Sequence, residues 1–185
     1  MSIRAHAPQS SSPRARGPRR GAERLLAVGL LLLSNGCAGV RGGEEHAIPV
    51  VGAIEVLRVE EARLDFLARI DTGARSSSIH ALDLEIADEA TRVEDNVGKE
   101  IRFRVANERG DSAHLVGVIA DVIHVRSAQG TEARYAVPLA LTWNGVSKRV
   151  RVNLRDRAAM DCKLLVGRDW LRGSALVDVD RNAVE

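Results

Sequence analysis

Aromatic residues and cysteines are scarce in this sequence, and each scarcity excludes a class of protein. Phe, Trp and Tyr make up 3% of the 185 residues, which leaves few aromatic platforms on which nucleic-acid bases could stack. The two cysteines, Cys37 and Cys162, cannot form a disulfide framework. The longest apolar run, residues 25–33, falls short of the about 20 residues that span a bilayer. The composition therefore predicts neither a nucleic-acid-binding domain nor a membrane-spanning helix.

Several motifs of catalysis and cofactor binding are also missing. The sequence has no His-Glu-x-x-His, no Gly-Lys-Ser/Thr phosphate loop and no Gly-x-Ser-x-Gly nucleophile turn. The histidines His46, His80, His114 and His124 do not suggest one cluster of zinc ligands. We therefore predict no cofactor and no metal, and interpret His80 as a core or hydrogen-bonding histidine. Cys162 is predicted to be a small buried residue; the alternative, a nucleophile, lacks a histidine nearby in the sequence.

Positive charge is concentrated in the first 36 residues, which hold six arginines and one glutamate. Since the whole chain has a formal net charge of +2, the remainder is slightly acidic, which argues against a nucleic-acid-binding surface on the folded part. Residues 1–23, rich in Ser, Pro, Arg and Gly, are predicted to be a disordered basic leader. Residues 38–47 are predicted to be a linker, and residues 48–185 the folded domain.

An apolar run followed by small residues around a cysteine occupies residues 24–37. A basic leader, a short apolar stretch and small residues are the layout of a secretory signal. Gly36-Cys37 resembles a bacterial lipoprotein cleavage site, at which Cys37 becomes the lipidated first residue; the alternative is an ordinary signal peptide cleaved nearby. We therefore expect an exported, periplasmic protein that is anchored to the membrane through a lipid on Cys37.

Alternating apolar and polar residues predict that the folded part consists mainly of β-strands. Asn144-Gly145 between two alternating segments predicts a tight hairpin, and short helical turns are expected near Ala81–Ala90 and Arg168–Arg172. The pattern predicts an all-β fold, a small closed β-barrel with short, protected edges. The predicted strands are Val50–Val59, Arg63–Ile70, Ile101–Val105, Leu115–Val125, Arg134–Leu141, Val146–Leu154, Leu164–Val166 and Ala175–Val179.

The most informative segment is Asp71-Thr72-Gly73-Ala74, which follows the predicted strand Arg63–Ile70. This strand delivers the Asp71 carboxylate into a tight turn, where Thr72 offers a hydroxyl and Gly73 permits a sharp bend or a close backbone approach. A carboxylate, a hydroxyl and a glycine in this order suit an active-site loop that packs against a second loop.

A second segment, Leu164 to Leu171, is an apolar run that continues into Gly167-Arg168-Asp169. An aspartate after a strand, followed by such a segment, resembles the retropepsin-like aspartic peptidases. The string from Asp71 to Ala81 resembles, more narrowly, a bacterial retropepsin-like family often labelled "ATP-dependent zinc protease". The resemblance covers roughly residues 48–182 and implies an acid-protease barrel of one lobe, with Asp71 as the catalytic residue.

An aspartic peptidase needs two carboxylates about 3 Å apart that share one proton. This chain has one Asp-Thr-Gly, and no other aspartate is followed by Thr-Gly or Ser-Gly. We therefore expect the second carboxylate to come from Asp71 of another copy. The resemblance implies the same arrangement, a homodimer with the site on its two-fold axis.

The resemblance also implies supporting roles around the two motifs. Thr72 would hydrogen-bond across the dimer axis, and Gly73 would line the substrate backbone. Gly167 would pack under the catalytic loop, and Arg168 and Asp169 would brace it.

Arg75 stands where viral retropepsins carry an acidic residue. We hypothesise that Arg75 forms a bracing ion pair with Asp169, while Ala74 belongs to the supporting part of the loop. The run Ser76-Ser77-Ser78 is interpreted as a polar turn.

A viral retropepsin closes over its substrate with a Gly-rich hairpin between the two motifs. Here the first candidate for that flap is Asn107–Gly117 and the second is Asp95–Lys99. The spacing between the motifs exceeds the viral one, which indicates extra structure between them.

Three functions remain open from the sequence. The first is an aspartic endopeptidase that hydrolyses a peptide bond, or an isopeptide bond, since the family is associated with glutamate-ligase systems. The second is a non-catalytic, peptide-binding periplasmic lipoprotein on the same barrel. The third is a metallopeptidase, which a chelator would inactivate.

Overall fold

The structure, a computed structural model, describes residues 48–127 and 130–181. The predicted leader, signal segment and linker, with the proposed lipidation site Cys37, lie outside the described residues. Within the described ranges, no helix is both long and apolar enough to cross a membrane.

Almost all regular structure in the described ranges is β-strand, as the sequence predicted. One helix, α1, spans Arg168–Leu171, and a single 3₁₀ turn spans Val93–Asn96. The strands are β1 Val50–Val51, β2 Ile54–Val59, β3 Leu64–Ile70, β4 Ser78–Ile86, β5 Glu100–Ala106, β6 Ser112–Val118, β7 Asp121–Ser127, β8 Gly130–Trp143, β9 Val146–Arg155, β10 Leu164–Val166 and β11 Leu176–Val177. The predicted all-β fold class is therefore confirmed.

Six strands pair in the order β10-β3-β2-β8-β9-β4, and β4 pairs again with β10. Beyond this ring, β5 and β6 extend the sheet from β4, and β7 pairs with β8. A separate parallel pair joins β1 to β11. The prediction of a closed barrel therefore needs correction, because the strands outside the ring leave the sheet as a whole with open edges.

The core lies where alternating side chains of the ring meet. On β3, Phe66 and Ala68 are fully buried and Ile70 nearly so, as the period of two requires. Helix α1 adds Trp170, which is fully buried and donates a hydrogen bond from Nε1 to the carbonyl oxygen of Leu141 at 2.9 Å. The short segment after β10 is thus anchored by one large side chain that satisfies its polar group.

Three local predictions were wrong. The predicted strand Val50–Val59 is two strands, β1 and β2, which belong to different sheets. Ala81–Ala90 was expected to be helical, but β4 continues to Ile86 with an irregularity between Leu82 and Glu85. The start of this segment pairs with neighbouring strands, and these tertiary contacts override local helix preference. The predicted strand Leu115–Val125 is two strands, β6 and β7, separated by residues 119 and 120.

The predicted hairpin at Asn144-Gly145 is confirmed. It joins β8 to β9, and both residues have positive φ, 45° at Asn144 and 79° at Gly145. Two positive φ values in a two-residue loop belong to the type I′ turn, whose twist matches that of the flanking strands.

His80 is a buried hydrogen-bonding residue, as predicted. It lies on β4, and its Nδ1 accepts a hydrogen bond from the backbone N–H of Arg157 at 2.9 Å. Burial lowers the pKa of His80, and this effect outweighs the opposite influence of the nearby Asp156 carboxylate. The folded protein therefore favours the neutral form of the His80 ring, whereas His80 in the unfolded chain binds a proton more readily.

We expect the free energy of unfolding to fall as the pH drops below about 6.5, the usual pKa of histidine. His80→Asn keeps a hydrogen-bond acceptor but cannot be protonated, so it should flatten this dependence. Urea unfolding at pH 7.5 and pH 5.5 measures both slopes. His114→Asn, at an exposed position, is the control and should keep the wild-type slope. Equal slopes for wild type and His80→Asn would contradict the assignment.

Candidate active site

Two strand ends bring the two sequence motifs together. Strands β3 and β10 are parallel, and their last residues, Ile70 and Val166, lie opposite each other. Parallel neighbours leave the sheet at the same edge, so the residues that follow them emerge side by side. The backbone N–H of Asp71 donates to the carbonyl oxygen of Val166 at 2.9 Å. Asp71 is thereby placed next to Gly167.

The carboxylate of Asp71 is held by its own turn. Its Oδ1 accepts hydrogen bonds from the backbone N–H groups of Gly73, at 2.9 Å, and Ala74, at 3.1 Å. Asp71 is half-buried, whereas Thr72 and Gly73 are exposed. Asp71–Ser76, called the site loop below, therefore presents an oriented carboxylate at the edge of the sheet.

Gly167 lies directly against the site loop. A Cβ atom at this position would come within 2.8 Å of the Ser76 carbonyl carbon, 2.9 Å of its oxygen and 3.1 Å of the Ala74 oxygen. The next residue, Arg168, donates its backbone N–H to the same Ala74 oxygen at 3.0 Å. Only a glycine permits this approach of two backbones. The Arg168 side chain itself is exposed.

Asp169 braces the site loop through Ser77 and not through Arg75. Its carboxylate accepts hydrogen bonds from the Ser77 backbone N–H at 2.9 Å and from the Ser77 hydroxyl at 2.7 Å. The hypothesised ion pair is wrong: Arg75 is exposed, and no ion pair joins it to Asp169 among the described side chains. The Asp169 carboxylate therefore contacts the residue that follows the site loop, while the Arg75 side chain lies exposed on the loop itself.

Ser77 and Asn153 are site residues that the sequence did not reveal. Ser77 is fully buried, and its hydroxyl oxygen also accepts the Gly167 backbone N–H at 3.1 Å. The side-chain Nδ2 of Asn153 donates to the Ser77 carbonyl oxygen at 2.7 Å. Ser77 was interpreted as part of a polar turn, and no local pattern distinguishes it from Ser76 and Ser78. The pairing of β4 with β10 brings Ser77 to Gly167, and the pairing of β4 with β9 brings Asn153 to Ser77.

A cavity of about 900 Å³ opens beside the site loop. Ala74, Arg75 and Ser76 line it, together with residues of β4, β7, β8, β9, β10 and α1 and of the segment after β9. The Asp71 carboxylate lies outside the lining, at the start of the same loop. The cavity therefore offers space for a ligand next to the candidate catalytic residue.

The β7–β8 hairpin borders this cavity, in place of the two segments predicted to form a flap. Neither Asn107–Gly117 nor Asp95–Lys99 contributes to its lining. The turn at Asn107 is instead fastened to β3, because the Asn107 side chain donates to the Asp65 carbonyl oxygen at 3.0 Å. The carboxylate of Glu108 accepts the Leu67 backbone N–H at 2.9 Å.

The described residues do not form a site that fits a resident zinc ion. No three of their His, Cys, Asp and Glu side chains are grouped closely enough to hold a metal. Cys162 is buried, as predicted, and burial raises the pKa of its thiol. A buried thiol with a raised pKa has little thiolate character, which disfavours the nucleophile alternative.

Comparison with known proteins connects this geometry to a family. The family described as "RimB-like: Retropepsin-like aspartic endopeptidase RimB" matches residues 50–185. Protein Lpg0085 of unknown function from Legionella pneumophila has a similar fold, with a TM-score of 0.60 and 22% identity, over 75% of this chain and 98% of that one.

Two relatives are each named "Probable alpha-L-glutamate ligase". The protein of Shewanella pealeana is 30% identical over 112 residues, which are 60% of this chain and 24% of that protein. The protein of Parasynechococcus marenigrum is 30% identical over 115 residues, 60% of this chain and 23% of that protein. The chain thus spans about a quarter of the length of these relatives.

We expect Gly167→Ala to displace the site loop, because the added methyl group meets backbone atoms that cannot rotate away. Overpacking of this kind costs about 1–3 kcal/mol of folding free energy. Gly117→Ala is the control, since its Cβ would lie 3.5 Å from the nearest atom, Cγ1 of Val137. Urea unfolding should show a loss for the first variant and little change for the second. Equal stability of the two variants would contradict the close approach.

Proposed function

This chain belongs to the RimB-like family of retropepsin-like aspartic endopeptidases, and from that premise we propose that it hydrolyses peptide bonds at a site built from Asp71 of two copies. The observation that carries the proposal is the site loop itself. Its carboxylate is oriented at the sheet edge by the backbone N–H groups of Gly73 and Ala74. Gly167 packs directly against the backbone of the same loop.

One copy supplies only half of the required pair. The sequence contains a single Asp-Thr-Gly, and Asp169, the other carboxylate beside the site loop, already accepts two hydrogen bonds from Ser77. Thr72 and Gly73 are exposed at the loop tip, where a second copy related by a two-fold axis can approach. We therefore propose a homodimer in which the two Asp71 residues meet.

The proposed reaction follows from one proton shared by two close carboxylates. The ionised carboxylate removes a proton from a water molecule, whose oxygen attacks the substrate carbonyl carbon. The protonated carboxylate donates its proton to the carbonyl oxygen, which gives a neutral tetrahedral intermediate. The C–N bond then breaks, and the leaving nitrogen takes the proton that the first carboxylate removed from water. As the C=O bond re-forms, a hydroxyl of the intermediate gives its proton to the second carboxylate, so the pair again holds one shared proton.

The names of the relatives support a substrate class. Proteins with a similar segment are named as probable glutamate ligases, and ligation of glutamate produces a peptide or isopeptide bond. Because the similar segment is about a quarter of each relative, we assign the peptidase activity to this segment alone. We propose that the substrate contains glutamyl residues, joined by either type of bond.

We expect Asp71→Asn to lower the cleavage of a diverse peptide pool by about 10²–10⁴-fold, because the amide can neither accept nor share the proton. Asp88→Asn makes the same chemical change at an exposed turn and should keep full activity. Mass spectrometry of the peptide pool measures cleavage. If both variants cleave like wild type, Asp71 is not catalytic; if wild type binds peptides and cleaves none, the non-catalytic binding function replaces the peptidase.

Mixing tests the shared site. An excess of the Asp71→Asn chain should reduce cleavage per wild-type chain, since mixed dimers contain one carboxylate. An excess of the Asp88→Asn chain should not. If cleavage per wild-type chain is unchanged by added Asp71→Asn chain, the two-copy site is contradicted.

We propose that the protein is exported and anchored through a lipid on Cys37. The support is the apolar segment followed by Gly36-Cys37 in the sequence. Cys37→Ser should move the protein from the membrane fraction to the soluble fraction, as measured by fractionation and blotting. A Cys162→Ser control should stay with the membrane. Unchanged fractionation of Cys37→Ser would contradict the lipid anchor.

A further inference from the structure

The cavity beside the site loop has a strongly positive lining. In the part of the chain that the structure describes, seven arginines and two aspartates line it. Arg149 and Arg151 each have a carboxylate partner, with nitrogen-to-oxygen distances of 2.8 Å and 3.1 Å. Arg75 and Arg126 are exposed and make no ion pair with any described carboxylate. The lining therefore carries more positive charge than its own acidic residues neutralise.

Three of these arginines form what we call the arginine floor: Arg134, Arg155 and Arg157. Arg134 and Arg157 are buried, with 8% and 5% of their surface exposed. Glu132 is the carboxylate that contacts the floor; its Oε2 lies 2.5 Å from Nη2 of Arg134 and 4.0 Å from Nε of Arg155. Arg157 has no carboxylate partner among the described residues, and its Nε donates to the Cys162 carbonyl oxygen at 3.2 Å.

Three guanidinium groups lie near one carboxylate, so the partly buried arginine floor has a net positive charge. Burial lowers the pKa of Arg157, and the positive charge of Arg155 and of Arg134 lowers it further. A buried charge without a partner is costly, and a bound anion recovers that cost. Two buried atoms of the lining residues, Arg134 Nε and Ser78 Oγ, also have no hydrogen-bond partner among the described residues.

Asn153 connects the arginine floor to the site loop. Its Oδ1 accepts a hydrogen bond from Nη1 of Arg134 at 3.4 Å. Its Nδ2 donates to the Ser77 carbonyl oxygen at 2.7 Å and to the Ser76 hydroxyl at 3.4 Å. The floor is thus separated by one side chain from the loop that carries Asp71. A peptide cut at Asp71 has neighbouring side chains close to this cavity.

We propose that the arginine floor is a specificity subsite that binds a carboxylate side chain, glutamate or aspartate, of the peptide substrate. The proposal rests on the proposed peptidase function, because it takes the occupant to be a peptide. Planar guanidinium groups bind carboxylates with two parallel hydrogen bonds. Among the described residues, the lining contains no Phe, Tyr or Trp, which a nucleic-acid base would need for stacking. Apolar side chains of Val122, Val150 and Leu165 in the lining suit the methylene groups of such a residue.

The test is the binding of short peptides to the full chain that carries Asp71→Asn, measured by titration calorimetry. The probes are tetraglutamate and tetraglutamine, which match in length and differ in charge. We expect tetraglutamate to bind at least about tenfold more tightly, since one charged hydrogen-bonded contact is worth about that factor. Adding Arg157→Gln should reduce tetraglutamate affinity by about tenfold and leave tetraglutamine unaffected.

Matched variants keep the test decisive. Arg155→Gln changes a half-exposed member of the floor and should weaken tetraglutamate binding even if the buried Arg157→Gln fails to fold. Arg58→Gln removes the same charge outside the cavity, where Arg58 pairs with Asp65, and should change neither affinity. Thermal unfolding of each variant verifies that the fold is kept.

Three outcomes would overturn the proposal. Equal affinity for tetraglutamate and tetraglutamine removes the carboxylate preference. An equal effect of Arg155→Gln and Arg58→Gln reduces it to overall charge. Competition by inorganic phosphate as strong as that by free glutamate, at the same ionic strength, makes the cavity a general anion site. Because binding needs no turnover, failure of carboxylate recognition is distinguishable from failure of the peptidase function.

Discussion

The candidate active site depends on the hydrogen bonds between Ser77 and Asp169. The carboxylate accepts both the hydroxyl and the backbone N–H of Ser77, while the Ser77 hydroxyl oxygen accepts the backbone N–H of Gly167. These groups lie in a buried or half-buried region, where a satisfied polar network orients its members and an incomplete one is costly. Because Ser77 immediately follows the site loop and Asp169 lies in α1, the same contacts position both halves of the site.

The parallel pairing of β3 with β10 gives this network its geometry. With Ile70 opposite Val166, the following residues, Asp71 and Gly167, leave the sheet together, and the absence of a side chain at Gly167 lets the backbones meet. Trp170 then anchors α1 in the core. A rigid support of this kind is what a catalytic carboxylate requires, since small displacements of a reacting group lower the rate strongly.

The net charge of the first 36 residues differs in sign from that of the rest of the chain. The first 36 residues account for the positive net charge, and the rest is slightly acidic. The described residues nevertheless place seven arginines around one cavity. Four of them, Arg149, Arg151, Arg155 and Arg157, come from β9 and the segment after it. The other three come from the site loop, β7 and β8. Strand pairing therefore adds arginines from distant segments to a stretch that is already basic in the sequence.

Local sequence accounts for which segments alternate, where chain reversals occur and which carboxylate follows a strand, because these properties depend on residues adjacent in the chain. The all-β class, the Asn144-Gly145 hairpin and the family resemblance follow from such local signals. Tertiary contacts determine that Ala81–Ala90 begins as a strand, that Asp169 bonds Ser77 in place of Arg75, and that Asn153 reaches the arginine floor. Those choices depend on the register between distant strands, such as Ser78 opposite Asn153. A register selects partners far apart in the chain, and no short sequence pattern records it.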